Sequence, residues 1–113
     1  MKKPNKIICF DLDNVICKTD KKKNYKKSKP IKSAINKINL LHKNNKIIIF
    51  TARGMGRYNG NLKKVNKSFL KLTKNQLKKW KVKYHKLILG KPSYDLIIDD
   101  KSYNYNTNWV KKI

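Results

Sequence analysis

The sequence predicts a small doubly wound α/β domain on a parallel sheet, and three observations predict it. Short apolar runs of the kind that make buried parallel strands recur along the chain, at Ile7 to Phe10, Ile47 to Phe50, Lys86 to Leu89 and Leu96 to Ile98. Stretches with apolar residues at helical spacing separate the first three, giving the strand, helix, strand, helix, strand order of α/β domains. Acids, which are rare here, close two of the runs: all six are Asp, against 30 basic residues, and four of them lie in Asp11-Leu12-Asp13 and Asp99-Asp100. In open α/β sheets ligands bind beyond the carboxyl ends of the strands, and these clusters stand at two such ends.

A chain of 113 residues is enough for one domain and one core. Hydrophobic content is only 39%, but the apolar residues are bunched into runs, which favours a folded domain over a disordered chain. The expected organisation is a single domain over 1–113, with a Lys-rich flap at 18–29 and a C-terminal tail at 101–113. No stretch is long enough to span a bilayer. The basic start, Met1 to Lys6, leads into an apolar run that breaks at Asp11, too short for a secretory signal, so the expected location is the cytoplasm.

The elements follow in order. Ile7 to Phe10 reads as the first strand, with Cys9 as a small core residue. The polar stretch Lys18 to Lys29, which holds Tyr25, reads as a loop or flap. Pro30 suits an early helix position after Ser28 as cap, and Ile31, Ala34, Ile35, Ile38 and Leu41 carry the helix to about Asn44-Asn45. Ile47 to Phe50 is the second strand, ending in Thr51-Ala52-Arg53-Gly54. Three of the four glycines fall in Gly54 to Gly60, a loop. A helix is expected from Asn61 on Leu62, Val65, Phe69 and Leu72. Thr73-Lys74-Asn75-Gln76 reads as a capping box that opens another helix, carrying Leu77 and Trp80. Lys86 to Leu89 and Leu96 to Ile98 are the third and fourth strands, and the tail with Tyr103, Tyr105 and Trp109 has no clear period. His42 and His85 stand in no motif and read as surface or packing residues.

Asp11 and Asp13 are two apart, so an extended backbone points both to one side. Facing carboxylates repel unless a cation or a shared proton relieves them. A hard divalent ion, Mg²⁺ above all, would take oxygen ligands from these acids and from Asp99-Asp100 while keeping waters for a phosphate to replace. Thr51 offers a hydroxyl and a backbone N–H at the end of the second strand, and Arg53 and Lys91 offer charge for phosphate oxygens.

Asp11-Leu12-Asp13-Asn14-Val15 resembles the DxDx(T/V) signature of haloacid-dehalogenase-like phosphohydrolases. Thr51 after Ile-Ile-Ile-Phe resembles their second motif, Lys91 their third, and Asp99-Asp100 after Leu-Ile-Ile their fourth. The likeness spans residues 6 to 101. The Thr51-Ala52-Arg53-Gly54 loop and Gly90-Lys91-Pro92-Ser93-Tyr94-Asp95 look most like the small capsule-biosynthesis phosphatases of polysaccharide clusters. The resemblance implies a capless Rossmann-like core and a Mg²⁺-dependent hydrolase acting on phosphoric monoesters. It makes Asp11 the nucleophile, Asp13 the acid and base, and Thr51 and Lys91 the holders of the transferring phosphoryl group. Asp11, the Asp13 carbonyl and Asp99 would bind Mg²⁺, with Asp100 a further ligand or a support, and Ala52 and Arg53 would lie near the substrate.

Two departures from the family pattern carry consequences. Asn14 stands where Gly is common, and Asn also takes left-handed angles. Lys91 is only eight residues before Asp99, too few for a parallel crossover with a helix. Either the chain descends as coil and Lys91 stays at the active edge, or the third strand runs antiparallel and Lys91 faces away.

The expected substrate is a small sugar phosphate; a nucleotide or polynucleotide end, or phosphate binding without turnover, are the alternatives. Net charge is +24, which would draw polyanions, nucleic acid among them. Yet the only arginines are Arg53 and Arg57, whereas nucleic-acid surfaces favour Arg. With abundant Asn, Ile and Tyr, the excess of Lys reads chiefly as composition. A second copy of the chain, supplying a lid to an open site, is a further candidate partner, and no membrane is expected.

Overall fold

The computed structural model describes residues 5–113. The elements run β1 (Ile7–Phe10), β2 (Cys17–Lys18), a 3-10 turn (Tyr25–Lys27), β3 (Lys29–Pro30), α1 (Lys32–Leu41), β4 (Lys46–Thr51), α2 (Leu62–Lys79), β5 (Lys86–Leu89) and α3 (Trp109–Lys112). Three strands form a parallel sheet in the order β1-β4-β5, and β2 and β3 make a small antiparallel pair inside the flap. The chain is thus a mixed α/β fold with a parallel three-stranded sheet. Among the described residues, no helix is long and apolar enough to cross a membrane.

The register explains the core. Ile8 and Phe10 stand beside Ile47 and Ile49, and Ile49 and Thr51 beside Leu87 and Leu89, so these side chains share one face. Ala34, Ile35 and Ile38 of α1 and Leu77 of α2 pack on that face with Phe10, Ile47 and Ile49. Val65 and Phe69 of α2 pack against Leu89 and the flap residue Tyr25. Trp109 is buried as well, its ring tilted 48° against Phe10 at 5.4 Å, so the tail docks on the domain.

Both crossovers step the same way across the sheet, and right-handed connections then put both helices on one face. The domain is therefore wound in one direction, where a doubly wound one was expected. Among the described residues the opposite face has no helix: Ile7 is 67% exposed, Cys9 is exposed rather than in the core, and Ile48, Phe50 and Ile88 stand outside both core clusters. The expected fourth strand is not formed. Leu96, Ile97 and Ile98 are exposed and pair with no strand. A parallel fourth strand needs the chain to return first to the far end of the sheet, and residues 91–95 are under half of the dozen or so that such a return takes.

Two helix boundaries also differ from expectation. Residues 62–79 form one helix, capped by Asn61, whose side chain accepts the Lys64 N–H at 3.2 Å. Thr73 and Gln76 do not open a second helix, because their side chains turn inward to a buried arginine. Pro30 is drawn into β3 beside Cys17, so α1 begins at Lys32. At the amino end of β4, His42 and His85 stack at 4.2 Å, and His85 Nδ1 accepts the Ile47 N–H at 3.0 Å. Burial, then the neighbouring His85 and Lys83, holds the His42 imidazole below its ordinary value.

Candidate active site

The carboxyl ends of β1, β4 and β5 open on a cleft of about 400 Å³. Asp11, Asp13, Asn14, Ala52 and Arg53 line its floor, the flap residues Thr19, Asp20, Lys21, Lys23 and Tyr25 one wall, and Ser93 the far rim. The loop after β1 turns sharply: Asn14 takes φ of 66°, and the N–H groups of Val15, Ile16 and Cys17 all donate to the Leu12 carbonyl. This turn sends Asp11 and Asp13 into the same cleft.

Each of the two carboxylates has its own cation. Asp11 Oδ1 accepts the Leu12 N–H at 2.8 Å, and its Oδ2 lies 3.5 Å from Lys91 Nζ. β5 runs parallel to β4 and the Lys91 N–H donates to the Thr51 carbonyl at 3.1 Å, so Lys91 sits at the active edge beside Asp11. Burial would lower the Lys91 ammonium, but Asp11, with Tyr94 close by, outweighs it and holds the group above its ordinary value. Gly90 permits this exit: its φ is 103°, and a Cβ there would stand 2.7 Å from Leu62 Cδ1.

Asp13 is held from below by Arg53. Nε donates to Asp13 Oδ2 at 3.0 Å and Nη2 to Oδ1 at 2.9 Å, a two-pronged grip of the kind only a guanidinium makes. Nη1 donates to Thr73 Oγ1 at 3.1 Å and to Gln76 Oε1 at 2.5 Å, Nη2 also reaches Cys17 Sγ at 3.8 Å, and the group lies over the Tyr25 ring. Arg53 is 1% exposed and every N–H is committed. The expected role of neutralising phosphate directly would require it to release Asp13, the carboxylate that it holds in the structure.

Thr51 is buried, and its hydroxyl accepts the Arg53 N–H at 3.2 Å; it shapes the loop below the cleft, and Ala52 forms the surface above. Thr19, which the sequence reading did not single out, donates to Asp13 Oδ1 at 2.5 Å and shares a 2.7 Å hydrogen bond with Ser28. A hydroxyl six residues after Asp13, in a flap anchored by an aromatic residue, was the available signal. That anchor is Tyr25: its ring meets Phe69 edge-on at 5.1 Å, its carbonyl accepts the Gln76 amide at 2.6 Å, and its hydroxyl accepts the Gly54 N–H at 3.4 Å. Gly54 is obligatory here, since a Cβ would come within 2.6 Å of the Phe69 ring. Cys17 is no nucleophile: burial, then Asp13, pushes its thiol up to about 11.

Asp99 and Asp100 do not join Asp11 and Asp13. Both are exposed and outside the cleft lining, and Asp99 Oδ1 accepts the Lys101 N–H in a local turn. Among the described residues no group of three or more His, Cys, Asp or Glu side chains comes together as metal ligands. Of the acids expected to hold Mg²⁺, only Asp11 keeps a carboxylate for it in the cleft, with the Asp13 carbonyl as a second oxygen, because the Asp13 carboxylate is taken up by Arg53 and Thr19; an ion held by these two oxygens would keep waters for its other positions. The charge repulsion that called for a cation is met by Lys91 and Arg53.

No protein-family model matches the chain, and no curated protein matches it. The chain is similar to a target protein from Vibrio cholerae whose crystal structure is solved. The two share 26% sequence identity with a TM-score of 0.80, over 95% of this chain and 94% of that one. The α/β architecture is thus shared over nearly the full length of both chains.

Proposed function

We propose that the chain is a phosphomonoesterase of the haloacid-dehalogenase-like kind, acting on a small phosphorylated metabolite, with a sugar phosphate of polysaccharide biosynthesis as the first candidate. The observation that carries this reading is the pairing of Asp11 with Lys91 at the carboxyl edge of a parallel sheet, in a cleft with Asp13 held two residues away. Asp11 is part-exposed and its Oδ2 faces Lys91, an arrangement that suits a nucleophile next to the cation that receives its target. In the proposed reaction an Asp11 oxygen forms a bond to phosphorus as the bond from phosphorus to the leaving oxygen breaks. The leaving oxygen takes a proton delivered by way of Asp13. Water, giving its proton to Asp13, then cleaves the aspartyl-phosphate and frees Asp11 and inorganic phosphate. Lys91 stabilises the charge that the phosphoryl oxygens carry in both steps. Asp11 and the Asp13 carbonyl would hold a Mg²⁺ ion, whose charge would offset that of the phosphoryl oxygens beside Lys91.

The test is phosphate release from a panel of sugar phosphates, mononucleotides and phosphorylated oligonucleotides, with Asp11→Asn as the paired variant. Turnover by the native chain and none above background by Asp11→Asn is expected. Equal rates for the two would overturn the assignment. Preference for oligonucleotides, with a steep fall in rate as salt rises, would favour the polynucleotide reading that the net charge suggests.

A further inference from the structure

We propose that Lys23, with Lys21, Ser93 and the bare backbone of Gly56, forms a second anion subsite, so that the substrate carries a phosphate or carboxylate besides the group attacked by Asp11; this rests on the phosphatase reading above. Lys23 has φ of 56°, a left-handed conformation that non-glycine residues seldom adopt. The turn is enforced on both sides. The Lys23 N–H donates to the Asp20 carbonyl at 3.0 Å, the Asn24 N–H donates to Asp20 Oδ1 at 2.9 Å, and Arg57 Nη2 donates to the Lys23 carbonyl at 3.3 Å. Strain maintained in this way at the wall of a cleft points to a use for the side chain it aims.

That side chain is aimed at a meeting point of three segments. A Cβ added at Gly56 would lie 4.0 Å from Lys23 Nζ and 4.0 Å from Ser93 Oγ, so flap, glycine loop and the segment after Lys91 converge there. Gly56 is not among the glycines with positive φ, so what its lack of a side chain provides is open space. The charges agree. Asp11 is paired with Lys91 and Asp13 with Arg53, whereas Lys21 and Lys23 line the same cleft with no ion-pair partner among the described residues. Asp20 is the one other acid in the lining, and its Oδ1 accepts the Asn24 N–H. The cleft therefore has cation to spare at its flap end, besides the cation already committed to Asp11.

The experiment compares glucose 6-phosphate, glucose 1,6-bisphosphate and 6-phosphogluconate as substrates of four chains: native, Lys23→Asn, Gly56→Leu and Lys74→Asn. Asn tolerates the left-handed backbone, Leu at 56 fills the subsite, and Lys74, exposed on α2, controls for loss of one charge. The native chain is expected to favour one of the doubly anionic substrates over glucose 6-phosphate by at least about tenfold in kcat/KM, and which one it favours tells phosphate from carboxylate. In Lys23→Asn and Gly56→Leu the ratio falls to within about threefold of unity; in Lys74→Asn it stays. No preference in the native chain, or an equal loss in the Lys74 control, would overturn the subsite. If no ester is hydrolysed at all, the phosphatase reading fails, and calorimetry judges the subsite alone. Pyrophosphate is then expected to bind the native chain at least about tenfold more tightly than phosphate and Lys23→Asn about equally; equal binding to both chains overturns it.

Discussion

Two stretches of this chain have nearly the same design on paper and opposite fates in the fold. Ile7 to Phe10 leads into Asp11 and Asp13, and Leu96 to Ile98 leads into Asp99 and Asp100. The first run is hydrogen-bonded along β4, and its acids are met by Lys91, Arg53 and Thr19. The second has no strand beside it; Ile98 is 91% exposed and its acids close only a local turn. An apolar run becomes a strand when a neighbour satisfies its backbone, and a carboxylate becomes part of a site when cations are delivered to it from other elements. Hydrophobicity and a terminal acid are not sufficient.

The contrast can be broken or sharpened by measurement. The largest effect is expected at Arg53. Arg53→Met leaves Asp13 without its buried partner and strands Thr73 and Gln76, which should cost about 3–5 kcal/mol in urea unfolding and abolish turnover. A loss under 1 kcal/mol would mean that the first cluster is as loosely held as the second. Trp109→Ala should cost about 3 kcal/mol by removing the tail's contact with Phe10, whereas the equally apolar Ile98→Lys should stay within about 0.5 kcal/mol. A large loss from Ile98→Lys would show that this run is covered after all, by a second copy or by the chain itself.

Smaller effects follow. His42 is held below its ordinary value, so the folded chain binds fewer protons there than the unfolded chain. Its contribution is full above about pH 6.5 and declines as pH falls through the lowered value. Stability measured from pH 7.5 to 5 should therefore fall more gently in His42→Leu than in the native chain; parallel curves would rule this out. The smallest effect is expected at Asp99. Asp99→Asn should leave turnover within about twofold of the native chain's, since Asp99 lies outside the cleft. A joint dependence on Asp99 and Mg²⁺ would show instead that residues 95–100 close on the cleft and merge the two clusters.

Much of the sheet was legible in the sequence, because Ile47 to Phe50 and its neighbours declare buried parallel strands by apolar content alone. The placement of Asp11, Asp13 and Ala52 at one edge followed from that order, whereas the sequence leaves Lys91 open and the parallel pairing of β5 with β4 decides it. What was not legible depends on partners distant in sequence. Thr73 and Gln76 imitate a capping box, and only the arrival of Arg53, 20 and 23 residues away, assigns them to a network inside one long helix. Cys9 looked interior because its run is apolar, yet the direction of winding decides which face of a sheet is covered. Lys23 looked like one lysine among many until the backbone turn showed where it aims.

The two arginines give the composition a meaning of its own. Lysine stands at nearly every basic position of this chain, and Arg53 and Arg57 are the only exceptions. Arg53 and Arg57 both lie within the loop that borders the cleft, one spending all its donors on four side chains, the other bracing the flap while stacked near Tyr25 and Phe69. An ammonium cannot reproduce a planar fork. In a chain so rich in lysine a guanidinium marks a place where planar, forked donors are used, and here both arginines border the same cleft.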